Sequence, residues 1–211
     1  MRLLTKELWF PDPELADTDG LLAIGGDLST ERLMLAYRSG IFPWFIQEGM
    51  IFWFCPPERM VLFPDELHIS RSMQQLMRSG RFRTTANQAF NRVIRLCAQV
   101  HAQQHAGTWI NDDFIRAYQK LFEAGHATSV ECWHQQQLAG GLYGITIGRI
   151  FCGESMFALQ PNASKTALIA LCRSGKYSMI DCQVETAHLS SMGARKISRA
   201  EYLKLLQQSG H

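Results

Sequence analysis

The spacing of apolar residues changes period along this chain, and the changes mark its elements. Residues 1–28 hold no sustained period. FPDPELADTDG and IGGDLS are turn-rich, so LAIGGDLS reads as a turn into the first helix. That helix spans Ser29 to Ser39, with Ser29 as cap, Leu33, Ala36 and Tyr37 on one face, and Gly40 as stop. IFPWF and IFWF follow, and they bring Phe42, Trp44, Phe45, Phe52, Trp53 and Phe54 close together in sequence. Such a cluster is either the core of a small N-terminal lobe or the wall of a cleft, where rings stack on a base or enclose an apolar side chain.

Helical spacing returns from Ser70 to Ser79, capped by Ser70 and stopped by Gly80. It returns from Thr85, with Phe90, Val93, Ile94 and Cys97 on one face and Asn91, Arg92 and Arg95 on the other. A third helix starts after Asn111, with Phe114, Ala117, Tyr118 and Leu121 as its stripe and Gly125 as its stop. From residue 128 the period drops to two. TSVECWH, QLAGGLYGITIG and RIFCGESMF read as an antiparallel meander with turns at Gln135–Gln136 and Gly148. A helix from Ser164 to Cys172, a strand MIDCQV, a helical stretch from Thr186, a short strand ARKI and a helix from Ser198 to Gln207 complete the chain. This order predicts an α+β fold rather than a doubly wound one.

Composition narrows the picture. The chain has 211 residues, 46% hydrophobic and 19% charged, which excludes a disordered chain and a collagen-like fibre. It is long enough for one large domain or two small ones. Lys6, Glu7 and Asp12 interrupt any signal-peptide core, and no run approaches the ~20 apolar residues of a membrane span, so a soluble cytoplasmic protein is expected. Six cysteines form no C-x-x-C pair, so reduced thiols are expected. The net charge of +2 hides a segregation. Residues 1–66 carry five basic and eleven acidic side chains, and residues 112–211 ten basic and eight acidic. Between them, residues 67–111 hold Arg71, Arg78, Arg81, Arg83, Arg92 and Arg95 and no carboxylate. That stretch is either a phosphate-binding surface or an ordinary solvated helical face.

Candidate chemistry is sparse, and the absences help. His101 and His105 are four apart but lack a third ligand and the H-E-x-x-H glutamate, so no metal is expected. Neither a P-loop nor G-x-G-x-x-G is present, and GESMF is not a nucleophile elbow. Polar residues on apolar strands are more informative. Asp181 and Gln183 are two apart in MIDCQV and share a face, and Glu154 interrupts the strand FCGESMF. Buried carboxylates demand partners, so this set either orients an amine or forms a structural network. Lys165 falls in the first turn of the following helix, where it is either solvated or close to a bound anion.

DGLLAIGGDLS, AYRSGIFPWF, LHISRSM, GTWI, the pair FCGESMF–NASKTAL, and IDCQ followed by HLSSMGA occur in that order from Asp19 to Tyr202. In these motifs the chain resembles the leucyl/phenylalanyl-tRNA–protein transferases. The resemblance implies transfer of leucine or phenylalanine, and less readily methionine, from aminoacyl-tRNA to proteins with N-terminal arginine or lysine, which marks them for degradation by the bacterial N-end rule. It implies a small aromatic-rich N-terminal domain (residues 1–60) and a larger catalytic domain (61–211) of N-acetyltransferase-like (GNAT-like) fold, with a mostly antiparallel sheet flanked by helices. The ester is already activated, so no cofactor is implied.

The same resemblance assigns residues. Gln183 would hydrogen-bond the attacking amine, Asp181 would orient that group, and Glu154 would hold an amino group near the reacting centre. Trp44 and Trp109 would flank the terminal adenosine, with Tyr37, Phe42 and Tyr118 nearby. Gly153, Met156 and Ile180 would border the pocket for the amino-acid side chain. Arg71, Arg78, Arg81 and Arg83 would meet the tRNA acceptor stem, although Gln74 and Gln75 stand where relatives tend to carry basic residues. Two rival readings differ in class. An acyl-CoA acyltransferase of the same fold would want a glycine-rich loop where this chain reads MFALQPNASKT. A non-catalytic tRNA-binding module would have no use for Asp181, Gln183 and Glu154.

Overall fold

The computed structural model describes residues 2–104 and 110–210. Two sheets organise it. The first has the order β1-β2-β4-β3 and comprises β1 (Arg2–Leu4), β2 (Leu21–Gly25), β3 (Phe42–Gln47) and β4 (Met50–Phe54). Helix α1 (Thr30–Arg38) joins β2 to β3. Leu21–Gly25 is therefore a strand, where local sequence reads only a turn. It is held between β1 and β4, and only Gly25 and Gly26, at φ +86° and +74°, make the turn. Long-range pairing wins over the local turn signal.

The second sheet has the order β11-β5-β10-β9-β8-β7-β6. Its strands are β5 (Glu58–Leu62), β6 (Arg83–Ala86), β7 (Ala127–His134), β8 (Gln137–Ile147), β9 (Ile150–Ala158), β10 (Met179–Gln183) and β11 (Arg195–Ser198). All neighbours are antiparallel except β9 and β10, which α5 (Ala163–Cys172) connects in parallel. The meander matches the expected boundaries to within a residue or two. Gln135 and Gln136, at φ +48° and +66°, form its first turn.

The remaining helices are α2 (Arg71–Arg78), α3 (Phe90–Gln104), α4 (Asp112–Glu123), the single turn α6 (Ala187–Ser190) and α7 (Arg199–Gln208). Ser29 and Ser70 cap α1 and α2 through side-chain oxygens, as the sequence predicts, and Asn111 and Ser198 cap α4 and α7 in the same way. The helix expected from Thr85 begins instead at Phe90, because residues 83–86 pair with β7 as an edge strand. Thr85 Oγ1 donates to Glu131 Oε2 (2.5 Å), and Glu131 Oε1 accepts Ala89 N–H (3.2 Å) at the start of α3. A carboxylate 42 residues downstream thus fixes that helix start.

The sheet's faces carry different cores. On one, Phe90, Val93 and Cys97 of α3 and Phe114 and Tyr118 of α4 pack with Tyr143, Cys152 and Phe157, and this core continues into Leu22, Phe42 and Trp53 of the first sheet. On the other, Ala167, Leu168 and Leu171 of α5 pack with Leu142, Phe151 and Ile180. The six cysteines carry free thiols, five of them buried. No helix among the described residues is long and apolar enough to cross a membrane.

Candidate functional site

The parallel partners β9 and β10 stay in register only from Met179↔Ile150 to Asp181↔Cys152. Beyond that point β9 runs on to Ala158 and β10 ends, and a cavity of about 380 Å³ opens beside them. Its wall includes Phe42 and Trp44 of β3, His101 of α3, Gly153 to Met156 of β9, Ile180 to Gln183 of β10, and His188 and Leu189 of α6. Both sheets therefore contribute to one concavity.

Local backbone irregularities aim the polar groups. Across β8 and β9 the register shifts between Tyr143↔Ser155 and Gly144↔Gly153, so Glu154 has no partner on β8. A Cβ on Gly144 would meet the Cys152 carbonyl oxygen at 2.2 Å, so this bulge requires glycine there. On β10 a second shift separates Asp181 from Gln183, and Gln183 adopts φ +61°. Asp181 Oδ1 accepts Gln183 N–H (2.9 Å) and stabilises that left-handed backbone.

Glu154, Gln183 and Asp181 come together as expected. Gln183 Nε2 donates to Glu154 Oε1 (2.9 Å). The hydroxyls of Tyr37 and Tyr118 lie 2.7 Å from Oε1 and 2.8 Å from Oε2. Burial pushes the Glu154 carboxyl up, the hydroxyls of Tyr37 and Tyr118 draw it back, and the charge of Asp181 raises it again, leaving its pKa at about 7.

Asp181 lies deeper, at 1% exposure. Arg59 Nε approaches its carboxylate at 3.1 Å, and Tyr202 donates its hydroxyl to Oδ2 (2.8 Å). The Arg59 guanidinium sits between the rings of Phe42 and Tyr202, 4.7 and 4.4 Å from their centroids, and donates to the Gly40 carbonyl (2.9 Å). Burial alone would lower its pKa, but the charge of Asp181 together with Tyr202 and Cys55 raises it. The Asp181 carboxylate is thus engaged by Arg59, Tyr202 and the Gln183 backbone. Sequence reading missed Arg59 and Tyr202. An arginine beside the apolar run MVL is the same kind of signal as Glu154 within its strand.

The aromatic expectations divide. Phe42 and Trp44 line the cavity, with Trp44 half-buried and edge-on to Phe54 at 4.9 Å. Tyr37 and Tyr118 differ from expectation: both rings are buried in the core, off the cavity wall, and their hydroxyls are engaged with Glu154. No face is left on them for adenine. Trp109 and His105 lie outside the described residues. Gly153, Met156 and Ile180 line the cavity together. Among the described residues one hydroxyl on its wall, Tyr143 Oη, is buried without a hydrogen-bond partner. Lys165 is half-buried in the first turn of α5. Burial and then the charge of Lys165 lower the pKa of His188.

Arg71, Arg78, Arg81 and Arg83 are all exposed, on α2, the loop after it and the edge strand β6. Arg81 donates to Gln160 Oε1 (3.2 Å), and Arg83 lies 6.0 Å from the Trp133 ring centroid. Arg173, from outside that stretch, shares a groove with Gln74 and Arg78. Among the described residues no three His, Cys, Asp or Glu side chains gather as metal ligands.

Comparison with known proteins identifies the family. A family model described as leucyl/phenylalanyl-tRNA protein transferase matches residues 61–207, and the model of that transferase's N-terminal domain matches residues 26–57. A leucyl/phenylalanyl-tRNA–protein transferase of Syntrophobacter fumaroxidans is 52% identical over 209 residues, covering 98% of this chain and 89% of the relative. One of Flavobacterium johnsoniae is 50% identical over 210 residues, covering 98% and 99%. Among solved structures, the crystal structure of FemX superposes with a TM-score of 0.51 at 11% identity over 85% of this chain and 71% of that one, a likeness of fold. With matches spanning both sheets and nearly every residue, the chain belongs to the leucyl/phenylalanyl-tRNA protein transferase family.

Proposed function

We propose that this chain transfers leucine or phenylalanine, and methionine less readily, from aminoacyl-tRNA to the N-terminal arginine or lysine of acceptor proteins. The product is a peptide bond, and it marks the acceptor for degradation by the bacterial N-end rule in the cytoplasm. The observation that carries the reading is the Glu154–Gln183–Asp181 assembly at the open end of a cavity walled by Trp44 and by Gly153, Met156 and Ile180. Residues 1–60 supply the aromatic wall and residues 61–211 the reacting centre.

The reaction is aminolysis of an activated ester, and positioning is its main requirement. With Gln183 Nε2 donating to Glu154, the amide oxygen Oε1 serves as the acceptor for the attacking N–H. Asp181, held by Arg59 and Tyr202, keeps Gln183 in that pose. A free α-amine has a pKa of ~7.7–8.0, so a useful fraction is already neutral at physiological pH. The Trp44 ring stacks on the terminal adenine, worth about 1–3 kcal/mol. The apolar end takes a side chain unbranched at Cβ, and shape disfavours Ile and Val by about 1–3 kcal/mol. The buried hydroxyl of Tyr143 meets a polar atom of the donor. Arg71, Arg78, Arg81 and Arg83 face the acceptor stem.

One assay tests the reading. The protein is incubated with labelled leucyl-tRNA and a protein bearing N-terminal arginine, and label is followed into protein. Transfer to that acceptor, absent when its first residue is alanine, is expected. Binding of leucyl-tRNA without transfer would leave a tRNA-binding module, and binding of acetyl-CoA would leave a small-molecule acyltransferase.

A further inference from the structure

Glu154 makes more short oxygen contacts than the available protons fill when it is ionised. Tyr37 Oη is 2.7 Å from Glu154 Oε1, Tyr118 Oη is 2.8 Å from Oε2, and the two phenol oxygens are 2.6 Å apart. A phenol carries one proton and a carboxylate none. Two phenols therefore supply two protons for three contacts. An ionised Glu154 leaves one pair of oxygens facing each other with lone pairs alone. Bulk water has little access, since Tyr37, Tyr118 and Glu154 are 2%, 0% and 8% exposed. Gln183 Nε2 donates to Oε1 from outside the ring and leaves the deficit unchanged. A third proton, on the carboxyl, gives every contact its hydrogen in either sense around the ring.

We propose that Glu154, Tyr37 and Tyr118 form a closed ring of three hydrogen bonds holding three protons, in which Glu154 is a neutral acid that gives its proton to the ribose 3′ oxygen leaving the donor ester. This rests on the transfer reaction proposed above. The acceptor nitrogen forms its bond to the ester carbon. The carbon–oxygen bond breaks, its electron pair goes to the 3′ oxygen, and that oxygen takes the Glu154 proton. The nitrogen's surplus proton passes to the vacated carboxylate and restores the ring, so no proton is consumed.

The surroundings fit this assignment. Tyr143 of β8, Cys97 and His101 of α3, Cys152 of β9, and Asp181 of β10 with Arg59 behind it stand around the ring or on the same cavity wall. Burial holds the phenols of Tyr37, Tyr118 and Tyr143 and the thiols of Cys97 and Cys152 above their ordinary pKa, so these keep their protons. Within the ring, only the carboxyl, at about 7, titrates near neutrality.

Two measurements test the proposal. Glutamate carboxyl carbons of the free protein are followed by carbon-13 NMR against pH. One resonance, missing from Glu154→Gln, is expected to titrate near pH 7; its titration around the ordinary 4.5 would overturn the ring. Single-turnover transfer from leucyl-tRNA is then compared for wild type, Tyr37→Phe, Tyr118→Phe and the double variant. Each single variant should lose about 100-fold, and the double should be no slower than the slower single, because the ring acts as a unit. Per neutral acceptor amine, the wild-type rate should fall with pH through a limb near 7 that Glu154→Gln lacks. Multiplying losses with an unchanged limb would assign the tyrosines to packing and overturn the relay. No transfer by folded wild type, with Glu154 still titrating near 7, would overturn the proposed function and the donation step while the ring stands.

Discussion

Glu154 is held in a place that prefers it neutral, and this has a sign that stability measurements can read. Its pKa in the fold, about 7, stands above the ordinary 4.5 because burial disfavours its charge. The native state therefore holds this proton more tightly than the unfolded chain does. The associated stabilisation is complete below the unfolded pKa and is lost as pH rises through about 7, a change on the order of 3 kcal/mol. Glu154→Gln has no such proton. Urea midpoints at pH 5 and pH 8 should show wild type losing stability relative to the variant by about that amount. Asp181 behaves differently, because Arg59 neutralises it in a buried pair. Arg59→Met should cost roughly 3–5 kcal/mol, since it leaves a buried carboxylate with only the Tyr202 and Gln183 donors. Calorimetry or urea unfolding of that variant checks it. At this scale the acids and Gln183 were legible, because a polar residue on an apolar strand is conspicuous. Their partners were not. Arg59 and Asp181 are 122 positions apart, and only the pairing of β5 with β10 brings them together.

Elements were legible where their signals are local. The caps at Ser29, Ser70 and Ser198 and the alternation of the meander lie within a few residues of what they control. Thr85 shows the opposite case. Its strand exists because β7 offers an edge and Glu131 a partner, and nothing nearby in sequence announces either. The bulge beside Glu154 is intermediate: Gly144 is visible, but the reason for it lies on β9. Gly144→Ala would drive a methyl group against the Cys152 carbonyl and straighten the register shift that isolates Glu154. It should destabilise the fold by about 1–3 kcal/mol and lower the transfer rate of the remaining folded protein. Asn111→Ala provides the contrast. It removes the oxygen that accepts Asp113 and Phe114 N–H, for about 1 kcal/mol, and leaves Glu154 in place. If both variants lose activity only in proportion to folded fraction, the bulge has no separate role in positioning Glu154.

Across the whole molecule, the proposed function asks charge and concavity to serve two unlike partners. The acidic side chains concentrate in residues 1–66, and the carboxylate-free stretch 67–111 carries six arginines, on α2, the loop after it, the edge strand β6 and α3. A near-neutral total thus conceals a surface suited to a polyanion. Arg71, Arg78, Arg81 and Arg83 are exposed there, while Gln74 shares its groove with Arg78 and with Arg173 from the end of α5. If those four arginines each neutralise one phosphate of the acceptor stem, the logarithm of the tRNA binding constant should fall against the logarithm of salt concentration with a slope of roughly −3 to −4. Each Arg→Gln change should flatten that slope by about 1, with little effect on which aminoacyl group is preferred. Arg173→Gln should do the same if the groove beside Gln74 carries backbone, and should leave the slope unchanged if it does not. Filter binding of leucyl-tRNA over a range of salt reads all five variants. A shallow slope in wild type would move the acceptor stem away from this edge and leave the arginines as a solvated face.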